Sequence, residues 1–228
     1  MENIAIADKD VFSIPGYNSL SDYEKELIDN NSNIVSYKNL DSIIKQNTRT
    51  SHIMFIKSGM VKIFKEGKNE KIIILKIAIP GTFVGLLSVF GDNLYQYSAS
   101  SINNSEIIFI DVGIFREIIN QNGTFATHLM SQISLEGLFM LDKLMSHVHK
   151  QLPGRIADVL LFFSERIYQN SIFDLPLTRR ELAEFASTTK ESFIRTLTEF
   201  KNDRIIKLNG RKVDIISMDI LKTLSRLG

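Results

Sequence analysis

Cysteine is missing altogether from the 228 residues, and so is tryptophan. Without thiols the chain can hold no disulfide, no thiolate metal site and no cysteine-ligated iron–sulfur cluster. Long apolar runs are missing too. Apolar residues make up 44% of the chain, yet no stretch approaches the roughly 18 needed to span a bilayer. The start, MENIAIADKD, lacks the apolar segment of a signal peptide. These absences fit a cytoplasmic protein with no membrane partner. Charge of one sign is also in short supply: the net is +1. Its distribution is uneven, however. From Lys150 to Gly228 there are 14 Lys/Arg against 10 Asp/Glu, whereas the first 149 residues hold 13 against 16. A polyanion would find its charge partner at the C-terminal end.

Enzymatic chemistry finds no foothold. There is no nucleophile–base pair, no metal cluster and no Gly-rich nucleotide loop. The four histidines stand at 52, 128, 147 and 149, and His147 and His149 on a helix would point to different faces.

With only four prolines, the chain divides by texture. Residues 1–33 form a lead-in with a short helix around Asp22–Asp29. From Ile34 to Asp111, HIMFIKSG, MVKIFKEG, KIIILKIAIPG and EIIFIDVG are short β-rich runs bounded by turn residues. KEGKNEK is a polar hairpin loop between two of them. Strands at this spacing predict a small sandwich or jelly roll. From Phe125 to Lys150 the period becomes helical. Ala126, Met130, Ile133, Gly137, Met140, Leu144 and His147 follow a 4-3 spacing, the seam of a coiled coil. Phe125, Leu129, Leu138, Phe139, Leu141 and Met145 form a second apolar face. Two faces need two partners: a twin helix across a homodimer and the chain's own domain. The alternative is a helix buried all round in a monomer. QLPG at 151–154 then reads as a hinge. RIADVLLFFSERIYQ resumes as a helix, and NSIFDLP is a loop or short strand.

The segment LTRRELAEFASTTKESFIRTLTEFKNDRIIKLNGRKVDII is the most informative. Thr178 with Glu181, and Thr188 with Glu191, have capping-box spacing. Leu182, Phe185 and Ala186 bury one short helix. Phe193, Leu197 and Phe200 bury the next, whose opposite face shows Lys190, Glu191, Ile194, Arg195 and Thr198. Two such helices across the tight turn STT predict a helix-turn-helix. The β-runs around Asn209-Gly210, a type I′ turn signal, add a wing. Arginine can bond guanine O6 and N7 together, and glutamate can accept from cytosine N4. Glu191 and Arg195 lie one turn apart and can reach one major groove of double-stranded DNA. Thr178, Arg179, Arg180, Thr189, Lys190, Lys201, Arg211 and Lys212 are placed for phosphates, which fix register. A small helical domain with solvated charges, Glu191 pairing Arg195, is the plainer alternative.

With these segments in place, together with MFIKSGMVKIF and PGTFVGLLSVFGDNLYQYSA, the chain resembles the cyclic-AMP receptor / fumarate-nitrate regulator (Crp/Fnr) superfamily of bacterial transcription factors over nearly its whole length. The resemblance implies an α+β chain: an N-terminal β-roll over 1–124, a dimerisation helix over 125–150 and a winged helix-turn-helix over 151–228. It implies RNA polymerase as a further partner. In the family a K/R-E-x-x-x-R pattern reads base edges, and Lys190, Glu191 and Arg195 match it. Ile194 stands where other branches have Ser or Gly, and STT replaces a Gly-containing turn. The stretch 80–100 resembles the family's phosphate-binding cassette. There, however, Leu86 stands where a Glu takes the ribose 2′-OH, and Tyr97 where an Arg takes the cyclic phosphate. Met140 and Leu141 stand where Thr/Ser meets the base. Burying a phosphate without a cation costs several kcal/mol, so cyclic AMP is not expected to bind in the family's manner. What remains is an apolar or aromatic effector against Phe83, Gly85, Leu86, Leu87, Tyr97, Ser98, Phe139 and Met140, haem on one of the histidines, or no effector. The rival reading is a sensor module that acts through protein partners with a vestigial DNA-binding domain.

Overall fold

The computed structural model describes residues 16–68 and 71–228. They fall into two compact units, 16–66 with 76–138, and 67–68 and 71–75 with 139–228. The expected lead-in over 1–15 and the tip of the loop at 69–70 lie outside the described residues.

In the first unit a turn of 3₁₀ helix at Tyr17–Ser19 leads into α1 (Asp22–Asn30). Ser21 caps α1 by a full capping box with Glu24, which satisfies two of the otherwise orphaned N-terminal N–H groups. The β-rich texture resolves into β1 (Ser32–Tyr37), β2 (Ser42–Ile44), β3 (His52–Ser58), β4 (Val61–Glu66), β5 (Ile72–Ala78), β6 (Phe83–Val84), β7 (Ser98–Ser101) and β8 (Ser105–Asp111). They form two four-stranded sheets, β1-β8-β3-β6 and β2-β7-β4-β5. In β3 the run Ile53–Ile56 is buried on both faces, so it reads as continuous apolar sequence rather than alternation. Ile53 and Phe55 join one core cluster with Phe83, Leu86, Phe115 and Phe125. Met54 and Ile56 join a second with Val84, Tyr95 and Ala99. One strand therefore packs both layers.

Two helices here depart from the sequence expectation. Leu86–Phe90 is helical (α2). Val112–Gln121, given no element by the sequence reading, is α3: Asp111 caps it by accepting from the N–H groups of Gly113 and Ile114 at 2.8 and 3.1 Å. The long helix is α4 (Gly123–His149), and Phe125 and Leu129 at its start are buried in the first core.

In the second unit α5 (Leu152–Leu161) opens at Gln151, with its proline in the first turn. Proline is tolerated there because that N–H has no helical partner, so QLPG begins a helix as well as ending one. The helix continues as a π-helical segment, Phe162–Tyr168. Then come β9 (Ile172–Asp174), α6 (Arg179–Phe185), α7 (Lys190–Asn202), β10 (Ile206–Asn209), β11 (Lys212–Ile215) and α8 (Met218–Leu227). The wing is a three-stranded antiparallel sheet, β10-β11-β9. α8, which the sequence reading did not anticipate, packs on α5.

Three local expectations are corrected. Thr178 and Glu181 make the first capping box, but the N-cap of α7 is Thr189, accepting from Ser192 N–H at 3.2 Å, not Thr188 with Glu191. The wing turn sits one residue later than read: Asn209 pairs with Lys212, leaving Gly210 and Arg211 as the central residues. Gly210 has a φ of 59° and Arg211 is not among the positive-φ residues, so this is a glycine-first turn rather than type I′, which needs positive φ twice. The second apolar face of α4 is not an inward face along its length. Leu138, Leu141 and Met145 are exposed, because the inward line of the C-terminal half runs through Phe139, Lys143 and Ser146.

Candidate nucleic-acid interface and sensor loop

α7 is held by its apolar side. Phe193, Leu197 and Phe200 are buried, with Thr196 beside them. The 3.6-residue period then leaves Lys190, Glu191, Ile194, Arg195 and Thr198 on the outer face, and all five are exposed. The side chains of Lys190, Glu191 and Arg195 make no hydrogen bond or ion pair to another described residue, so the i,i+4 pair that the plainer reading would need is not formed. Thr198 hydroxyl donates back to Ile194 carbonyl at 2.9 Å. The helix therefore offers two cations, a carboxylate and an apolar side chain on one open face, the set of groups that major-groove readout uses.

The expected phosphate-contact residues divide into two sorts. Thr178 and Thr189 are spent as helix caps, although a capped helix start still presents backbone N–H groups to an anion. Arg179 donates to Gly210 carbonyl at 2.5 Å at the wing turn. Arg211 donates to the carbonyls of Leu175 and Pro176 at 3.0 and 2.9 Å. These two arginines tie the wing to α6 and bring their charges together; burial first, then the neighbouring Arg211, draws Arg179 below its usual pKa. Arg180 pairs with Glu184 at 3.0 Å. Lys201 and Lys212 are exposed, with no partner among the described residues.

In the first unit the loop after β5 closes on itself. Gly85, at a φ of 104°, starts α2, and its N–H donates to the Tyr97 hydroxyl at 2.9 Å. Burial is the main reason the Tyr97 phenol is pushed above its ordinary pKa. Leu86 is 2% exposed and sits in the first core cluster. Ser98 accepts from Gln46 N–H at 3.1 Å, and Tyr95 donates to His52 carbonyl at 2.7 Å. The Gly85 N–H and the Tyr95 hydroxyl thus already donate within the protein. Phe83 is buried in the core, and Leu87 points outward. Phe139 and Met140, expected at the same site, belong to the second unit.

The histidines are dispersed. His52 lies against Ser51 and the edge of Phe109, His128 beside Gly16, and His149 is exposed. No group of three or more His, Asp or Glu that could hold a metal is found among the described residues. Nor is any described helix long and apolar enough to cross a membrane.

Of the expected seam on α4, Met130, Gly137 and Leu144 are exposed, Ala126 and Met140 are half-buried, and Ile133 packs on the core. His147 is engaged: its Nδ1 donates to Lys143 carbonyl at 2.7 Å, and its Nε2 meets the Ser187 hydroxyl in the turn between α6 and α7. The exposed apolar line is Met130, Leu138, Leu141, Leu144 and Val148, from 58 to 67% exposed. Sequence spacing showed that α4 has two faces, but it did not set the line between them.

The same turn receives Arg155, which donates to Ala186 carbonyl at 3.1 Å and to Lys150 carbonyl at 2.9 Å. Neither Lys143, Arg155 nor the His147–Ser187 contact was singled out from the sequence. The only cue for Lys143 is a cation on the inward line of an otherwise apolar helix.

Two family models match the chain: a cyclic nucleotide-binding domain over residues 34–122 and a Crp-like helix-turn-helix domain over 154–224. The cAMP-activated global transcriptional regulator CRP of Salmonella typhimurium is 21% identical over 184 residues, 79% of this chain and 88% of that protein. Among solved structures, FixK2 from Bradyrhizobium japonicum aligns with a TM-score of 0.77 at 18% identity, covering 85% of this chain and 96% of that one. A Crp/Fnr-family putative transcriptional regulator from Eubacterium rectale aligns at 0.80 and 18%, covering 94% and 99%.

Proposed function

The chain belongs to the Crp/Fnr superfamily of DNA-binding transcription regulators, and from that premise we propose that it acts as a homodimer on an inverted repeat and does not respond to cyclic AMP. Lys190, Glu191, Ile194 and Arg195 read base edges. Arg179, Arg180, Arg211, Lys201 and Lys212 with the capped starts at Thr178 and Thr189 bind phosphates. The working division is a β-roll over 1–124, a dimerisation helix over 125–150 and a DNA-binding domain over 151–228. RNA polymerase is the further partner.

One observation carries the reading: the open face of α7, where Lys190, Glu191 and Arg195 have no partner within the described residues. Groups left unpaired on a rigidly buried helix are pre-organised for an external one. In a dimer the two α7 helices would enter successive major grooves ~34 Å apart. The exposed line on α4 supports that dimer, since an apolar face of this length needs cover. The closed loop supports independence from cyclic AMP. Leu86 offers the ribose nothing, and Tyr97 fills the place of a phosphate-binding cation.

The experiment is fluorescence anisotropy with an operator selected from random duplexes, at several salt concentrations. Specific binding should fall with salt, and Arg195→Ala should lose about 1–3 kcal/mol of discrimination at one base pair. Undiminished discrimination would remove Arg195 from the readout. Absence of salt-dependent DNA affinity would overturn the reading in favour of a module acting through protein partners.

A further inference from the structure

We infer that a cavity inside the second unit, walled by Phe139, Phe162 and Phe185 and by the Lys143 and Arg155 cations, is a binding site for a small organic carboxylate with an aromatic body. This goes beyond the DNA reading, and it places a ligand away from the β-roll loop.

The cavity holds about 380 Å³, within the ~300–1,000 Å³ of small-molecule sites. Its apolar wall is Phe139, Val159, Leu161, Phe162, Phe185 and Ala186, and the rest of the lining is polar or charged. Phe162 and Phe185 meet edge to face at 5.4 Å, so the apolar wall is a built aromatic corner rather than loose packing.

Charge decides the ligand class. Three acids reach the cavity: Asp142, Asp158 and Glu165. Asp158 is saturated, taking Lys150 at 2.8 Å on both oxygens, Ser146 at 2.8 Å and Ser225 at 2.5 Å. Glu165 pairs with Lys222 at 2.9 Å. Asp142 is exposed to solvent. Four cations also line it: Lys150 is spent on Asp158 and Arg166 is exposed, whereas Lys143 and Arg155 are held by groups that carry no charge. Lys143 donates to the carbonyls of Ile74 and Leu75 at 2.7 and 3.0 Å and lies 4.1 Å from the centre of the Phe185 ring. Arg155 donates only to the carbonyls of Ala186 and Lys150. Carbonyls and a ring fix the position of a cation without cancelling its charge. An anion entering the cavity meets the Arg155 guanidinium and the Lys143 amine, with no carboxylate of the protein paired to either. Burial draws the Lys143 amine down to about 7, and a carboxylate beside it favours the charged form.

The site also has leverage. Arg155 and the neighbouring His147 both bond the turn that leads into α7, so occupancy would bear on the mounting of the recognition helix.

The test is isothermal titration calorimetry of the full chain with phenylacetate, and with phenylacetamide as its uncharged match. Phenylacetate should bind saturably and about tenfold or more tighter than the amide, a gap of about 1.4 kcal/mol. Lys143→Met and Arg155→Gln, each checked for folding by circular dichroism, should each weaken it about tenfold. Tyr97→Phe in the β-roll should leave it unchanged. No saturable binding, equal binding of acid and amide, or binding lost in the Tyr97 variant but kept in both cavity variants would each overturn the inference. The acid-to-amide comparison uses the unaltered protein, so it decides even where a variant fails to fold. No arm uses DNA, so failure here leaves the DNA reading standing.

Discussion

Replacing Lys143 with Met keeps the length and apolar stem of the side chain and removes its charge. The consequence can be worked from where the amine sits. Burial lowers its folded pKa from 10.5 to about 7. In the unfolded chain the amine stays protonated until pH approaches its ordinary value. Between the two, unfolding takes up a proton, so stability rises with pH. Below about 7 both states are protonated and the full cost of holding the charge is present. From 10.5 down to about 7, at 1.36 kcal/mol per pH unit, that cost comes to about 5 kcal/mol. The carbonyls of Ile74 and Leu75 and the Phe185 ring favour the charged form, which makes this an upper figure. From about pH 7 to about pH 9 the relief integrates to about 2 kcal/mol. The assay is urea unfolding followed by far-UV circular dichroism, on the protein and on Lys143→Met, in matched buffers across that range. Stability of the parent should climb relative to the variant by about 2 kcal/mol. Subtracting the variant cancels every other titrating group. Parallel curves would refute the reasoning and show that the amine remains hydrated.

Other perturbations follow from the same structure. Tyr97→Phe leaves the N–H of Gly85 without its acceptor in a buried loop and should cost about 1–3 kcal/mol in urea unfolding; an unchanged midpoint would show that water replaces the hydroxyl. Leu86→Glu restores the side chain that the resemblance assigns to ribose, but places a carboxylate in the first core. It should destabilise the fold by about 3 kcal/mol or more and confer no cyclic-AMP binding by calorimetry; binding by this single variant would contradict the reading of the loop. The pair Leu141→Glu with Leu144→Glu should convert a dimer to a monomer in sedimentation velocity while the circular dichroism stays the same; a dimer that survives both would move the interface off α4.

Much of the fold was legible because the relevant signals are local. Thr178 and Glu181 specify a helix start whatever surrounds them, and the buried triplet Phe193, Leu197 and Phe200 fixes which side of α7 faces out. β3, β4, β5 and β8 announced themselves as apolar runs with turn residues at each end, whereas the polar β7 (Ser98–Ser101) gave no such signal. What was misread depended on information that is not local. Ile110, Val112 and Ile114 continue the apolar texture of β8, so no helix was read over 112–121. Only the position of Asp111, able to accept from two successive N–H groups, marks the change. α8 has a helical apolar pattern in Met218, Leu221 and Leu224 that the sequence reading passed over, and its place is set by packing on α5. On α4 the heptad spacing of apolar residues is degenerate, since several lines satisfy it. The choice was made by groups that no hydrophobic pattern includes: Lys143 reaching two carbonyls, Ser146 donating to Asp158, His147 meeting Ser187.

That last contact changes how the departure at the helix-turn-helix turn is understood. The turn carries Ser-Thr-Thr where a glycine-containing turn is usual, and Ser187 takes a φ of 51°. A non-glycine residue in the left-handed region costs on the order of 1 kcal/mol. A glycine would relieve that cost, but it has no side chain for His147 to hold. Serine at the strained position supplies a hydroxyl to the imidazole, whose Nδ1 is already committed to Lys143 carbonyl. Either the hydroxyl or the ring Nε2 can be the donor, so the pair is satisfied on both sides. Arg155 adds a second tie, to Ala186 carbonyl one residue earlier. The turn is thus anchored from the end of α4 and the start of α5 at adjacent residues. Within this unit the strain at Ser187 and the cations around the cavity belong to one arrangement. The side chains that hold the turn are the same ones, or immediate neighbours of the ones, that remain without an anion.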